Sequence, residues 1–290
     1  MNRAAWAPWA AAAVGVQVGA SIVATRFVVG ELGPATLAGL RYAIGLLTLL
    51  PFVLAARVRS TIAPREWPLI ALLGIGQFAL LIALLNIGLQ MLPAAKAALL
   101  FACFPLLTLL VAAALGHERL SWRKCLGVAF TLSGVAVALG PQVLTDGSPP
   151  WGELAVLGSA LCGAVCSVLY RPVLRRHAAL PVSAMAMAAA VLFLAVWAQF
   201  EGANVRVLQV SAAGWAAIVF IGTSSGVGYF LWLWALRHAA ASRVTLYLSL
   251  SPLTAMVLGG LLLHEPLAPT LIVALLLVVL GLGVVQDRRP

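Results

Sequence analysis

Ten runs of about twenty mostly apolar residues follow one another along this chain, at roughly 5–25, 34–56, 67–89, 94–115, 122–140, 151–170, 182–200, 211–236, 240–263 and 267–285. A helix needs about 20 such residues to cross the hydrocarbon of a bilayer. A transmembrane barrel would need alternating segments about half as long, and the run at 271–285 does not alternate. The expected fold class is therefore all-α integral membrane, with ten transmembrane helices. Composition agrees: 63% of the 290 residues are apolar and 9% charged, where a soluble domain carries about 25% charged residues. The 18 basic and 8 acidic side chains could not clothe a soluble globule of this size. A soluble enzyme and a disordered chain are excluded. The first run is too long for a signal-peptide core and only Arg3 precedes it, so it is expected to stay as a span.

The formal net charge of +10 does not point to nucleic acid, because the basic residues sit in small groups between apolar runs and form no reading face. With ten spans, both termini and every even-numbered loop share one side. That side holds fourteen of the eighteen basic residues, in groups such as Arg57/Arg59, Arg123/Lys124 and Arg175/Arg176. The other side holds Arg26, Lys96 and Arg206, and Arg41 lies inside a span. The positive-inside bias places both termini in the cytoplasm, and a multi-pass protein of the cytoplasmic (inner) membrane is expected. Cys103, Cys125, Cys162 and Cys166 all fall in apolar runs with no metal-ligand spacing, and read as small packing residues.

The chain also matches itself at a shift of 147 residues. Pro34 falls on Pro181, Ala94-Ala95-Lys96 on Ala241-Ser242-Arg243, Pro105-Leu106 on Pro252-Leu253, His117-Glu118 on His264-Glu265, and Gly134 on Gly281. Ala and Leu matches come cheaply in this composition, but the Pro, His-Glu and basic matches do not, so they mark a duplication, with copies at 1–143 and 144–290. Five spans per copy is an odd number, so the second copy enters the membrane from the opposite face. Inverted repeats of this kind enclose a cavity at their interface and rock around it in many secondary transporters. Gly15xxxGly19 and Gly222xxxGly226 offer small-residue helix contacts in spans 1 and 8, serving either plain packing or sliding.

These features, with Pro34-Ala-Thr-Leu-Ala-Gly-Leu-Arg41-Tyr42 entering span 2 and Gly116-His-Glu118-Arg-Leu and Leu263-His-Glu265-Pro-Leu ending spans 4 and 9, resemble the EamA domain of the drug/metabolite transporter superfamily. The resemblance runs over nearly the whole chain as two tandem copies. It implies export or exchange of small metabolites, often amino acids, with no cofactor. The second copy departs from the first in having Ala188 where the first has Arg41, and Val14-Gly15 stands where a Trp-Gly pair is common in such proteins.

Polar side chains inside a membrane are costly and tend to line cavities. Arg41 could bind a carboxylate, pair with Glu31 or Glu153 in a gate, or snorkel to the headgroups. Gln17, Gln77, Asn86, Tyr170, Ser224, Ser225 and Tyr229 are further substrate-site candidates, each weighed against a hydrogen bond between or within helices. Arg243, Tyr247 and Ser251 recur every four residues and would share one stripe of span 9. Lys96, Pro105, Pro252, Glu118 and Glu265 are gate or hinge candidates, the prolines because each removes a backbone bond in mid-helix. Trp232 and Trp234 read as interface anchors. No carboxylate lies at mid-membrane in any run, and no phosphate-binding loop or nucleophile–base cluster is readable. The expected function is a secondary carrier of a small metabolite. A channel, a lipid or drug flippase and an intramembrane enzyme rank behind it. The expected partners are the bilayer and a small-molecule substrate, without nucleic acid, and a monomer would suffice.

Overall fold

The computed structural model describes residues 6–55, 62–117, 121–139, 150–202, 207–239, 244–245, 247–265 and 269–285. It is all-helical, with no strand among them. The helices are α1 (Ala7–Val28), α2 (Pro34–Ala55), α3 (Pro64–Met91), α4 (Ala94–Ala114), α5 (Trp122–Leu139), α6 (Trp151–Arg176), α7 (Ala179–Phe200), α8 (Ala212–His238), α9 (Leu250–Leu262) and α10 (Pro269–Val285). Seven of these, α1–α4 and α6–α8, are long and apolar enough to cross a bilayer. The others carry shorter apolar stretches at Cys125–Gly134, Leu250–Leu262 and Pro269–Gly281. The exterior is apolar to match, with Leu47, Phe52, Leu72, Trp122, Leu192 and Leu261 all exposed. An apolar patch of that extent belongs in lipid.

Local chemistry sets the helix ends. Proline in the first turn, where its missing N–H costs nothing, opens α1 and α2. Ser211 caps α8 by accepting from Gly214 N–H at 2.9 Å. Left-handed Gly116 (φ 71°) and Gly202 (φ 69°) follow α4 and α7. α9 is followed by His264 at φ 53°, a positive angle unusual for a residue with a side chain. Beyond it, Glu265 N–H bonds back to Gly259 O at 3.2 Å.

Two helices are irregular where their sequences are marked. α3 contains a π turn over Ile75–Leu80. α4 breaks at Ala102–Cys103, and Pro105 sits in the first turn of the segment that resumes. Pro252 likewise lies in the first turn of α9, behind a 3-10 turn at Tyr247–Ser249. Each proline was expected inside a continuous helix. The structure instead stops the helix just before it, which removes the clash between the ring and the preceding turn.

The packing has a pattern of its own. α1 packs on α8 and α9, and α6 packs on α3 and α4; α2 packs on α8, and α7 on α3. α2 pairs with α7, α4 with α9 and α5 with α10. Replacing each helix by the one five places on reproduces the same set of neighbours. The small-residue motifs sit at these contacts. A Cβ on Gly226 would lie 2.5 Å from Gly45 O, and one on Gly19 2.5 Å from Ser251 O. Only glycine lets α8 approach α2, and α1 approach α9, this closely.

Candidate functional site

In the middle of the helix bundle, α1, α2, α3, α4 and α8 enclose a cavity whose polar wall is Gln17, Ser21, Arg41, Gln77 and Tyr229. Phe101, Phe104, Trp232 and Leu248 stand on its apolar side. The free space is about 40 Å³. That is room for a few waters, against about 300–1,000 Å³ for an ordinary ligand pocket. A metabolite therefore fits only if the walls separate.

Arg41 is 5% exposed. Its Nε donates to Ser225 Oγ at 2.7 Å, and its guanidinium carbon lies 5.7 Å from the Tyr42 ring centroid. No carboxylate of the described residues pairs with it. Glu31 and Glu153, its expected gate partners, are engaged elsewhere, and its burial is not that of a side chain reaching the headgroups. A buried guanidinium held by one hydroxyl and a ring face keeps donors for an anion. Gln17 Nε2 donates to Ser21 Oγ at 2.7 Å and to Ser224 Oγ at 3.2 Å. Ser224 and Ser225 thus position Gln17 and Arg41 and are not on the wall themselves. Tyr42 Oη donates to Tyr229 Oη at 2.7 Å, and Phe78 packs against both rings, 5.2 Å and 4.5 Å between centroids.

The other candidates fall outside this wall. Asn86 Nδ2 donates to Pro34 O at 2.8 Å and ties α3 to the start of α2. Tyr170 is fully buried and does not line the cavity. The stripe of Arg243, Tyr247 and Ser251 is not one α-helical face, because Tyr247 lies in the 3-10 turn and α9 starts at Leu250; Arg243 lies outside the described residues. Ser251 is buried and Tyr247 half-buried, and neither lines the cavity. Trp232, read as an interface anchor, is 3% exposed and on the wall. Sequence reasoning also passed over Tyr42 and Ser21. Ser21 carries the signal of helical spacing, four residues after Gln17, whereas Tyr42 is marked only by following Arg41 in sequence.

Two of the gate candidates, Lys96 and Glu265, meet at one end of the bundle, where side chains of one copy hold helix starts of the other. Glu265 Oε1 accepts from Ala94 N–H at 3.1 Å, with Arg26 Nε 3.8 Å away. Lys96 Nζ donates to Glu153 Oε1 at 2.8 Å. The first turn of α4 is therefore gripped twice. Glu31 accepts from Ser211 N–H at 2.7 Å at the start of α8, and Glu201 accepts from Ala35 N–H at 3.0 Å and Thr36 N–H at 2.8 Å at the start of α2. Carboxylates at helix N-termini satisfy orphan N–H groups and the helix dipole together. At the opposite end Glu66 bridges Arg176 at 2.9 Å and His177 at 2.8 Å. Glu118 lies outside the described residues. Among the described residues no group of three His, Cys, Asp or Glu is placed to hold a metal.

The model of the EamA-like transporter family matches residues 5–140 and again 150–286. The chain belongs to the EamA-like transporter family. As a transporter of this family it is similar to an uncharacterized transporter of Archaeoglobus fulgidus, 26% identical over 93% of this chain and 95% of that one. It is also similar to a protein of Streptantibioticus cattleyicolor named a probable terminal-alkyne amino-acid exporter, 30% identical over 77% of this chain and 74% of that one. A crystal structure at 23% identity shares the fold, with a TM-score of 0.70 over 98% of this EamA chain and 96% of the other. With its apolar helices, this family membership makes it a multi-pass membrane protein.

Proposed function

We propose that this protein is a secondary transporter, an exporter or exchanger, of a small carboxylate-bearing metabolite, an amino acid or a related compound. It works by alternating access between two inverted five-helix repeats, 1–143 and 144–290, that together make ten transmembrane spans in the cytoplasmic membrane with both termini inside. The observation that carries this reading is Arg41, a buried cation on a central cavity with no carboxylate partner among the described residues. The exchange of packing neighbours between helices five places apart supports a two-fold relation of the repeats, and five spans per repeat make that relation an inversion. The name of the Streptantibioticus relative supports the amino-acid class.

The mechanism follows from the two ends and the middle. With the termini inside, the end clamped by Glu265, Glu153, Glu31 and Glu201 faces outward. Substrate from the cytoplasm reaches Arg41, and its carboxylate takes the donors that Ser225 leaves free. The added bulk favours a wider cavity, which the repeats provide by sliding on their glycine contacts. Release outward requires the first turn of α4 to leave Glu265 and Glu153. The test is counterflow in proteoliposomes against a panel of amino acids and related acids. Saturable exchange of a carboxylate-bearing compound is expected. Absence of exchange across the panel, or ion currents far above carrier turnover, would overturn the reading.

A further inference from the structure

Two polar atoms of wall residues have no hydrogen-bond partner among the described groups: Gln77 Oε1, an acceptor, and Trp232 Nε1, a donor. Both side chains are 3% exposed. Native structures keep few such atoms, and each asks for a reason. The other unpartnered atoms, Asn86 Oδ1 and Tyr170 Oη among them, belong to residues off the wall. Gln17 makes the contrast: it faces the same cavity with its amide bonded to Ser21 and Ser224.

Both orphans sit in well-held surroundings. Gln77 sits in the π turn Ile75–Leu80, a rare departure from α-helical winding that is frequent at functional sites. The turn is pinned from α6: Cys162 Sγ donates to Gly76 O at 3.2 Å, and a Cβ on Gly76 would lie 2.7 Å from Cys166 Sγ. On the other side of Gln77, Phe78 is packed against Tyr42 and Tyr229. The Trp232 ring stands edge to face with Phe104, 6.0 Å between centroids at 84°. Two buried wall residues thus carry an acceptor and a donor that no described residue engages.

We infer that Gln77 and Trp232 are the specificity-determining residues of the central site: Gln77 Oε1 accepts from the substrate's ammonium, and Trp232 Nε1–H donates to its carboxylate beside Arg41. This rests on the transport reading above and narrows it to a free α-amino acid. A carboxylate has two oxygens and can meet both Arg41 and the indole. The apolar remainder of the wall, with Val18, Ile22 and Phe101, suits an apolar side chain.

The experiment is counterflow with the best exchanged of leucine, methionine and phenylalanine, competed by its own analogue lacking the amino group. In the unmodified protein the analogue competes at least about tenfold more weakly, as expected for one lost hydrogen bond to a charged group. In Gln77→Leu that ratio falls toward one, because the amino acid weakens and the analogue does not. Gln77→Glu keeps the acceptor and retains the ratio. Trp232→Phe weakens amino acid and analogue alike, since both carry the carboxylate. An unchanged ratio in Gln77→Leu overturns the inference while the transport reading stands. If Gln77→Leu does not fold, loss of the ratio in Gln77→Glu overturns it. No exchange of any of the three amino acids by the unmodified protein overturns this inference and the amino-acid reading together.

Discussion

Replacing Arg41 by Leu separates a binding role from a structural one. The substitution removes the bond to Ser225 at 2.7 Å and the stacking on Tyr42. A hydrogen bond between helices in a membrane averages about 0.6 kcal/mol, and the cation–π contact adds about 0.5–2 kcal/mol. Against that, a central Arg costs about 2.5–3.5 kcal/mol to insert, a penalty Leu does not carry. The losses and the gain are of similar size, so the melting temperature in detergent should move by a few degrees at most. Binding should change far more. A charge-assisted bond to a carboxylate contributes about 1.5–3 kcal/mol, so the half-saturating concentration for counterflow should rise about 10–150-fold. Arg41→Lys keeps the charge but loses the planar fork, and should fall in between. A folded Arg41→Leu protein that exchanges carboxylates with unchanged affinity would refute the reasoning and leave Arg41 a packing residue.

Two further perturbations test the clamp and the sliding contacts. Glu265→Ala removes the acceptor for Ala94 N–H, a cap worth about 1 kcal/mol. It should raise labelling from outside of a cysteine in place of Gln17 about fivefold, and Lys96→Met should act in the same direction by freeing α4 from Glu153; an unchanged labelling rate in both would remove the clamp from the gate. Gly226→Leu forces α8 off Gly45 of α2 and should destabilise the protein by about 1–3 kcal/mol in thermal unfolding, whereas a melt like that of the unmodified protein would show the contact to be slack.

Much of this arrangement was legible because membrane burial is written into composition. Apolar runs place most helices to within a few residues, although α6 runs on to Arg176 past the expected 170 and α9 begins at Leu250 in a run expected from 240. Rare residues inside the runs stand out: Gln17, Arg41, Gln77 and Tyr229 all meet at one cavity. Three kinds of feature were not legible. Backbone irregularity was one, since nothing in Ile75-Gly-Gln-Phe distinguishes a π turn from an α-helical one. Long-range capping was another: Glu201 and Glu31 read as loop-end charges, and only the folded chain brings them to Thr36 and Ser211. The third was aromatic side chains with polar tips. Trp232 and Tyr42 suit both a membrane interface and a cavity wall, and periodicity cannot tell these apart.

The most direct test of the account is two-sided labelling of the Gln17→Cys protein with the four native cysteines replaced, read in oriented vesicles together with single cysteines at Gly202 and Arg65. Gly202 should label only from outside and Arg65 only from the cytoplasm. The cavity cysteine should react from one side at a time, with substrate shifting the side from which it is reached. Reaction of the cavity cysteine from both sides at once, or Gly202 and Arg65 labelling from the same side, would contradict alternating access between inverted repeats.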